Sequence, residues 1–243
     1  DIHTIEDELI LKDLETLEKR EKRLASQARS GDKEIKREFE LCEALRKFME
    51  QGHSAKNYEF KEEDEKYLKE FFLITSKPIL YICNVEESEV NDASGNNEVN
   101  KVKDYAEKFN DDVILVCAKI EAEIAELDQS EKAIYLEELG IESSGLDKLI
   151  RSAYSNLGLI TYFTAGPKEA RAWTITKETK APQAAGVIHT DFEKGFIRAE
   201  TIAYNDYVAT GSESAARDAG KMRSEGKEYT VKDGDVMLFR FNV

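Results

Sequence analysis

The chain has 243 residues, and its 50 Asp and Glu outnumber its 35 Lys and Arg, which gives a formal net charge of −15. A hydrophobic fraction of 41% excludes a disordered chain, and no apolar run reaches the roughly 18 residues that a membrane-spanning helix needs. Residues 158–243 carry twelve acidic and twelve basic side chains, so the net negative charge belongs entirely to residues 1–157. The three cysteines form no CxxC pair, which argues against a zinc site or a disulfide framework and predicts a reducing compartment, the cytoplasm.

Two amphipathic helices are predicted in the first fifty residues. The first is marked by apolar residues at helical spacing, interrupted once by a glutamate: Ile10, Leu14, Leu17, Leu24 and Ala28. Gly31 is suited to end this helix and Asp32 to cap a second one, whose apolar positions run from Ile35 to Met49. The pair forms an antiparallel hairpin, which is either a structural arm or an arm that binds a partner. The chain starts with an aspartate inside this helical pattern, so we expect a missing N-terminal portion.

A strand–helix–strand unit is predicted after a charged helix over 60–72. The segment ILYIC, residues 79–83, predicts a buried strand, and DDVILVCAK, residues 111–119, predicts a second one about thirty residues later. Between them, apolar residues at helical spacing mark an amphipathic helix: Val99, Val102, Ala106 and Phe109. Strands joined in this way lie parallel in one sheet. A further helical region over 121–157 is interrupted at GIESSG.

The character of the sequence changes at about Gly158. Short segments with β-branched or aromatic residues, often at alternate positions, are separated by turn-forming residues and predict strands: LITYFT, RAWTIT, GFIRAETIAY, KEYTV and VMLFRFNV. They indicate an α+β module of about 85 residues.

Polar side chains follow both strands of the predicted parallel sheet. Asn84 and Glu87 come after the first strand, and Cys117, Ala118 and Lys119 come at the end of the second. Ligands of parallel sheets bind outside the carboxyl ends of the strands. Asparagine offers a hydrogen-bond donor and an acceptor, and glutamate accepts from N–H groups, so Asn84 and Glu87 suit the edge of a nucleobase. The loop over 117–119 would close over that base with its backbone amides. Taken alone, Asn84 and Glu87 also suit a hydrogen-bonded polar turn.

The two loops together resemble the fourth and fifth guanine-box motifs of P-loop GTPases, which usually read NKxD and SAK. Here they read NVEE and CAK. In the GTPase pattern the aspartate accepts from N1 and N2 of guanine. A motif without its lysine and with glutamate in place of aspartate suits guanine poorly, which favours adenine. The predicted nucleotide-binding residues are Asn84, Val85, Glu87, Cys117, Ala118 and Lys119.

Longer segments resemble the YchF family of Obg-like ATPases through nearly the whole chain: NVEE, CAKIEAEIAELD, TYFTAGPKEARAWT, APQAAGVIHTDFEKGFIRAE and DGDVMLFRFNV. The resemblance implies an α/β fold in which a P-loop nucleotide domain is interrupted by a helical coiled-coil insertion and followed by a TGS domain, an α+β module with the β-grasp fold. It implies hydrolysis of ATP in preference to GTP. It also implies association with the ribosome, at the large subunit or the intersubunit region, and a role in translation or stress regulation.

The resemblance divides the chain into a helical hairpin over 1–57, the C-terminal half of the nucleotide domain over 58–157, and a TGS domain over 158–243. No GxxxxGK[ST] segment occurs in the sequence. The sequence therefore lacks the lysine of that motif, which binds phosphate, and its serine or threonine hydroxyl, which holds Mg²⁺. We therefore expect a base-reading edge without its phosphate site. Alone, the chain is expected not to hydrolyse ATP, and the Mg²⁺ ligands are expected outside it.

A second interpretation is a nucleotide-independent adaptor that binds the ribosome or RNA through the hairpin or the TGS domain. Four basic residues of the charge-neutral TGS segment form a candidate RNA-facing patch: Lys168, Arg171, Lys177 and Lys180. His189, beside Asp191 and Glu193, is assigned to packing or a turn, since no second ligand stands at metal spacing. Ribosome binding that does not depend on nucleotide would favour the adaptor.

Overall fold

The internal contacts of the chain divide it into two units, Asp1–Ile79 and Leu80–Val243. The computed structural model describes residues 1–28, 31–166 and 169–242. Over these residues, no helix is both long and apolar enough to cross a membrane.

The first unit is built on the helical hairpin that the sequence predicts. Helix α1 spans Ile2–Gln27, α2 spans Lys33–Met49, and a short helix, α3, spans Glu65–Phe71. α2 begins after Asp32 because the Asp32 carboxylate accepts from two backbone N–H groups of the first turn, at 2.8 and 3.4 Å. The cap thus lies where the sequence predicts it.

All three helices contribute side chains to one core. Its buried members are Ile10, Leu17, Leu24, Leu41, Cys42, Leu45, Met49, Ala55, Tyr67, Phe71 and Leu73. Tyr58 and Phe60 are partly buried against the same core. The contacts therefore group residues 58–79 with the hairpin, whereas the predicted boundary falls at residue 57. The three-domain division of the chain stays a prediction.

A two-stranded parallel sheet opens the second unit. β1 spans Leu80–Asn84 and β2 spans Asp112–Val116, with Leu80 opposite Asp112 and Asn84 opposite Val116. Helix α4, Asn97–Glu107, connects the two strands, which is the crossover that a parallel pair requires. Three helices follow, α5 at Ala118–Ala125, α6 at Gln129–Glu138 and α7 at Gly145–Asn156.

A mixed five-stranded sheet forms the rest of this unit. Its strands are β3 (Leu159–Ala165), β4 (Ala170–Thr176), β5 (Phe196–Ala203), β6 (Arg223–Glu225) and β7 (Asp235–Phe241), in the order β4-β3-β7-β5-β6. Four helices accompany them: α8 (Ala181–Ile188), α9 (Thr190–Lys194), α10 (Tyr204–Thr210) and α11 (Glu213–Asp218). α8 packs on one face, where Tyr162 donates its hydroxyl hydrogen to the carbonyl of Ala184 at 2.8 Å.

One predicted strand of the C-terminal sheet is wrong. The segment KEYTV, residues 227–231, forms a turn with a single bridge between Thr230 and Lys180, and the short strand β6 lies just before it. Its β-branched and aromatic residues serve tertiary contacts. Tyr229 donates its hydroxyl hydrogen to Asp235 Oδ2 at 2.7 Å, and Val231 is buried in the core.

Three arginines surround the carboxylate of Glu200 on this sheet. Arg240 donates to Oε2 at 2.8 Å, Arg198 donates to Oε1 at 3.0 Å, and Arg217 lies 3.4 Å from Oε2. The hydrogen bond from Arg240 holds the pKa of Glu200 below its ordinary value. A carboxyl group of this kind stabilises the fold above its unfolded pKa, and the contribution is lost as the pH falls through its folded pKa.

We expect Glu200→Gln to lower the free energy of unfolding at neutral pH by about 1 kcal/mol, because charged hydrogen bonds are lost. The wild-type chain should also lose more stability than the variant as the pH falls from about 5 to about 3. Urea titrations followed by the fluorescence of the single Trp173 measure both effects. Glu228→Gln, at a side chain that is 85% exposed, is the control and should change little. Equal acid-side losses in wild type and Glu200→Gln would contradict the expectation.

Candidate functional site

The ends of β1 and β2 lie side by side. Asn84 ends β1 opposite Val116, which ends β2, and the backbone N–H of Val85 donates to the carbonyl of Val116 at 2.9 Å. Cys117 directly precedes α5, which begins at Ala118. The parallel register therefore brings the two predicted loops together at one edge of the sheet.

A hydrogen bond between the loops orients the amide of Asn84. The backbone N–H of Ala118 donates to Asn84 Oδ1 at 3.0 Å. With its oxygen held in this way, the exposed Asn84 side chain presents its NH₂ group as the remaining donor. The bond joins residues that are 34 positions apart in the sequence.

An ion pair links the other two polar side chains of the site. Lys119 Nζ lies 3.1 Å from Glu87 Oε2, and both side chains are exposed. The hydrogen bond to Glu87 raises the pKa of Lys119 above its ordinary value. Because both side chains are exposed, solvent screens the attraction between them, so a ligand can separate the pair at little cost.

The side chains of Val85 and Cys117 point into the protein. They are 7% and 5% exposed and belong to a core with Ile120 and Ile124 of α5. These two residues can therefore meet a ligand only through their backbone groups. Asn84, Glu87, Ala118 and Lys119 remain on the surface of the predicted site.

A third loop joins the site through Glu121, which is not among the site residues predicted from the sequence. The Glu121 carboxylate accepts from the backbone N–H groups of Gly145 at 2.6 Å and Leu146 at 3.2 Å, and so caps α7. A Cβ at Gly145 would lie 2.9 Å from Glu121 Oε1 and 3.0 Å from Val116 Cγ1, so a larger residue at this position would require the Glu121 carboxylate to shift. The glycine in ESSGLD is the one sequence signal for this contact.

The basic residues proposed for RNA have different surroundings. The Arg171 guanidinium lies over the Trp173 ring, 4.2 Å from its centroid, and Lys180 forms an ion pair with Glu228. Lys177 lies beside an apolar groove, and Lys168 is outside the described residues.

His189 has a local structural role. Its Nδ1 accepts from the backbone N–H of Asp191 at 3.2 Å, at the start of α9. Throughout the part of the chain that the structure describes, no group of three or more His, Cys, Asp and Glu side chains is placed to hold a metal ion.

The parallel unit and the C-terminal sheet define the class of protein. A strand–helix–strand unit with polar groups at its strand ends, followed by an α+β domain, is a part of an α/β P-loop nucleotide domain with a C-terminal domain behind it. Comparison with known proteins then gives the family. Residues 159–242 match the family model YchF-GTPase_C, described as "Protein of unknown function (DUF933)".

The similarity to individual relatives extends over the whole chain. The chain is 57% identical to the ribosome-binding ATPase YchF of Bacillus subtilis (strain 168) and 48% identical to that of Haemophilus influenzae. It spans 66% of the length of each of these relatives. The structure of the Schizosaccharomyces pombe YchF GTPase superposes with a TM-score of 0.86 at 32% identity, over 99% of this chain and 65% of that one. The chain therefore belongs to the YchF family. The predicted resemblance and α/β fold class are both confirmed.

Proposed function

We propose that this chain carries the nucleobase-reading edge of a ribosome-associated P-loop ATPase that prefers ATP to GTP. The hydrogen bond from the Ala118 N–H to Asn84 Oδ1 is the observation that carries the proposal. It directs the Asn84 amide NH₂ outward as a donor, and the N7 atom of a purine is the matching acceptor. Glu87 stands beside it as an acceptor for an exocyclic amino group.

The choice of adenine over guanine rests on Glu87 and Val85. Adenine carries an amino group next to N7, whereas guanine carries a carbonyl there, which a carboxylate repels. Glutamate is one methylene longer than the aspartate of guanine-reading motifs, and Lys119 draws its carboxylate toward the second loop. The buried Val85 replaces the lysine of those motifs.

Hydrolysis is proposed for a protein that combines this edge with a phosphate-binding loop. The sequence contains no such loop, and the described residues offer no carboxylate cluster that suits the Mg²⁺ of a nucleotide. The 243-residue chain on its own is therefore proposed to be inactive. Relatives named ribosome-binding ATPases support ribosome association and, with it, a cytoplasmic location. A role in translation or stress regulation is part of the proposal.

The proposed parts of the ATPase correspond to the segments of the chain. The hairpin is proposed as the coiled-coil insertion and residues 158–243 as the TGS domain, either of which would supply contacts to the large subunit or the intersubunit region. A nucleotide-independent adaptor is the second candidate, and the absence of a phosphate-binding loop from the sequence is the observation that favours it.

Calorimetric titration of the 243-residue chain with ATP and with GTP tests the base-reading edge. We expect saturable ATP binding, weaker GTP binding, and a roughly tenfold loss of ATP affinity in Asn84→Ala, because a hydrogen bond of about 1.4 kcal/mol is removed. Val85→Lys combined with Glu87→Asp should shift the preference toward GTP.

Asn97→Ala is the matched control, since Asn97 is exposed and lies in the first turn of α4, outside the six residues of the proposed edge. Unchanged ATP affinity in Asn84→Ala, or no binding of either nucleotide, would count against the proposed edge. In the second case, ribosome pelleting that does not respond to ATP would support the adaptor.

A further inference from the structure

We propose that a groove between α7 and the C-terminal sheet binds a short single-stranded segment of RNA. Its walls are formed by α7, β3, the start of α10 and the turn at Asp233 and Gly234. The groove encloses about 870 Å³. Only the physiological source of the RNA rests on the proposed ribosome association; the groove itself is independent of the nucleotide site.

Three aromatic side chains give the groove surfaces on which bases can stack. Tyr154 comes from α7, Phe163 from β3 and Tyr204 from α10. The ring centroids of Phe163 and Tyr204 are 5.7 Å apart, and the rings are tilted by 37°. Tyr204 is 51% exposed and Tyr154 is 39% exposed, so both present ring surface to solvent. Stacking of an unpaired base on such a ring contributes about 1–3 kcal/mol.

Two cations flank the aromatic side chains. Arg151 on α7 and Lys177 after β4 line the groove and are exposed. Within the described residues neither of them forms an ion pair, whereas the nearby Lys180 is paired with Glu228. Unpaired cations beside aromatic rings suit a backbone of phosphates with splayed bases.

The one carboxylate in the lining is already engaged. Asp233 Oδ1 accepts from the backbone N–H of Thr161 at 2.8 Å, which fixes the turn that closes one end of the groove. The lining therefore carries two positive charges, on Arg151 and Lys177, against the single negative charge of Asp233. Two cations and one carboxylate give the lining a formal charge of +1, in a chain whose net charge is −15.

The shape and chemistry favour a single strand over a duplex. In a duplex the base faces are stacked on one another and cannot reach Tyr204 or Phe163, and duplex recognition requires a much longer row of phosphate contacts. A groove with three rings and two cations instead matches a few unpaired nucleotides.

Fluorescence anisotropy tests the proposal with two labelled RNAs. One is a single strand of ten nucleotides, and the other is a hairpin with a fully paired stem. The wild-type 243-residue chain should bind the single strand and bind the hairpin more weakly. Tyr204→Ala should weaken single-strand binding about tenfold, and Tyr204→Trp should restore it, because stacking is lost and regained. Val208→Ala is the matched control, since Val208 is also on α10, is 60% exposed and does not line the groove.

The salt dependence of binding tests the role of the cations. Lys177→Ala should reduce the slope of log affinity against log salt by about 0.7, the value for one phosphate contact to a single strand. Lys232→Ala, an exposed lysine outside the groove lining, should leave the slope unchanged. Absence of single-strand binding, equal binding of the hairpin, or equal losses in the Tyr204 and Val208 variants would overturn the proposal.

Ribosome pelleting separates this inference from the proposed function. If the wild-type chain pellets with ribosomes but does not bind the single strand, the groove proposal is wrong and the ribosome association stands. If Tyr204→Ala loses single-strand binding while no form of the chain pellets, the groove proposal stands and the association fails. Loss of pelleting in Tyr204→Ala without any RNA binding by the wild type would mean that the groove takes a protein segment, which also overturns the proposal.

Discussion

Replacement of Asp13 by alanine is expected to lower the free energy of unfolding of the first unit by about 3 kcal/mol or more. Asp13 is a buried carboxylate on α1 with 1% exposure. It accepts from the backbone N–H of Ile74 at 2.8 Å, from that of Thr75 at 2.7 Å and from the Thr75 hydroxyl at 2.7 Å. Alanine would leave these donors without an acceptor, and each orphaned buried group costs about 1–3 kcal/mol.

The same carboxylate holds a wider network in place. Thr75 Oγ1 accepts from the backbone N–H of Ala55 at 3.0 Å, and the Thr75 carbonyl accepts from the N–H of Lys56 at 3.1 Å. Asp13 thus connects α1, the segment after α3 and the turn that follows α2. We therefore expect the loss of Asp13 to loosen residues 73–75 as well as to lower the stability of the unit.

Far-UV circular dichroism in urea measures the loss of helix, and amide hydrogen exchange at Ile74 and Thr75 measures the local effect. Glu15→Ala is the matched control on the same helix. Glu15 is exposed and pairs with Lys12 at 2.9 Å, a contact that solvent screens and that contributes little to stability. If Asp13→Ala and Glu15→Ala were equally stable, the network would contribute nothing and the expectation would be wrong.

A methyl group at Gly195 is expected to destabilise the C-terminal sheet by about 3 kcal/mol, the upper part of the range for overpacking. Gly195 lies between α9 and β5, and its carbonyl accepts from the backbone N–H of Asn242 at 2.9 Å. A Cβ at Gly195 would lie 2.0 Å from the Asn242 carbonyl oxygen and 2.9 Å from its carbonyl carbon. Both atoms belong to the backbone, so no side-chain rotation relieves the clash.

Urea titration of Gly195→Ala, followed by Trp173 fluorescence, measures this effect, because the single tryptophan lies on β4 of the same sheet. Gly226→Ala is the control, since a Cβ at Gly226 meets nothing within 4 Å and its φ is not in the left-handed region. We expect Gly226→Ala to change stability by less than about 1 kcal/mol. If the urea midpoints of Gly195→Ala and Gly226→Ala were equal, the backbone at Asn242 would move to accept the methyl group without loss of stability, and the expectation would be wrong.

Elements with strong local periodicity were predictable from the sequence. Helical spacing places α1, α2 and α4, the Asp32 cap marks the start of α2, and two apolar runs thirty residues apart predict the parallel pair β1 and β2. Parallel pairing then brings Asn84 next to Ala118, because the carboxyl ends of such strands meet at one edge. Local patterns carry this information because burial on one face repeats at the period of the element.

The C-terminal domain shows where local patterns mislead. KEYTV has the composition of a strand, yet Tyr229 and Val231 satisfy contacts to Asp235 and the core from a turn. Strand composition reflects half-buried surroundings more than an intrinsic backbone preference, so a turn packed against the core has the same appearance in the sequence.

Contacts between distant residues were decided only by the tertiary structure. Within the first unit, packing joins Asp13 to Thr75 across 62 positions. In the second unit it turns Cys117 and Val85 inward, places Glu121 on the N-terminus of α7 and gathers Tyr154, Phe163 and Tyr204 around one groove. The sequence determines which faces are apolar and where helices begin. The tertiary structure decides which of those faces meet and which polar groups are brought together. The reason is that residues far apart in the sequence must fill the core and form hydrogen bonds with one another at the same time.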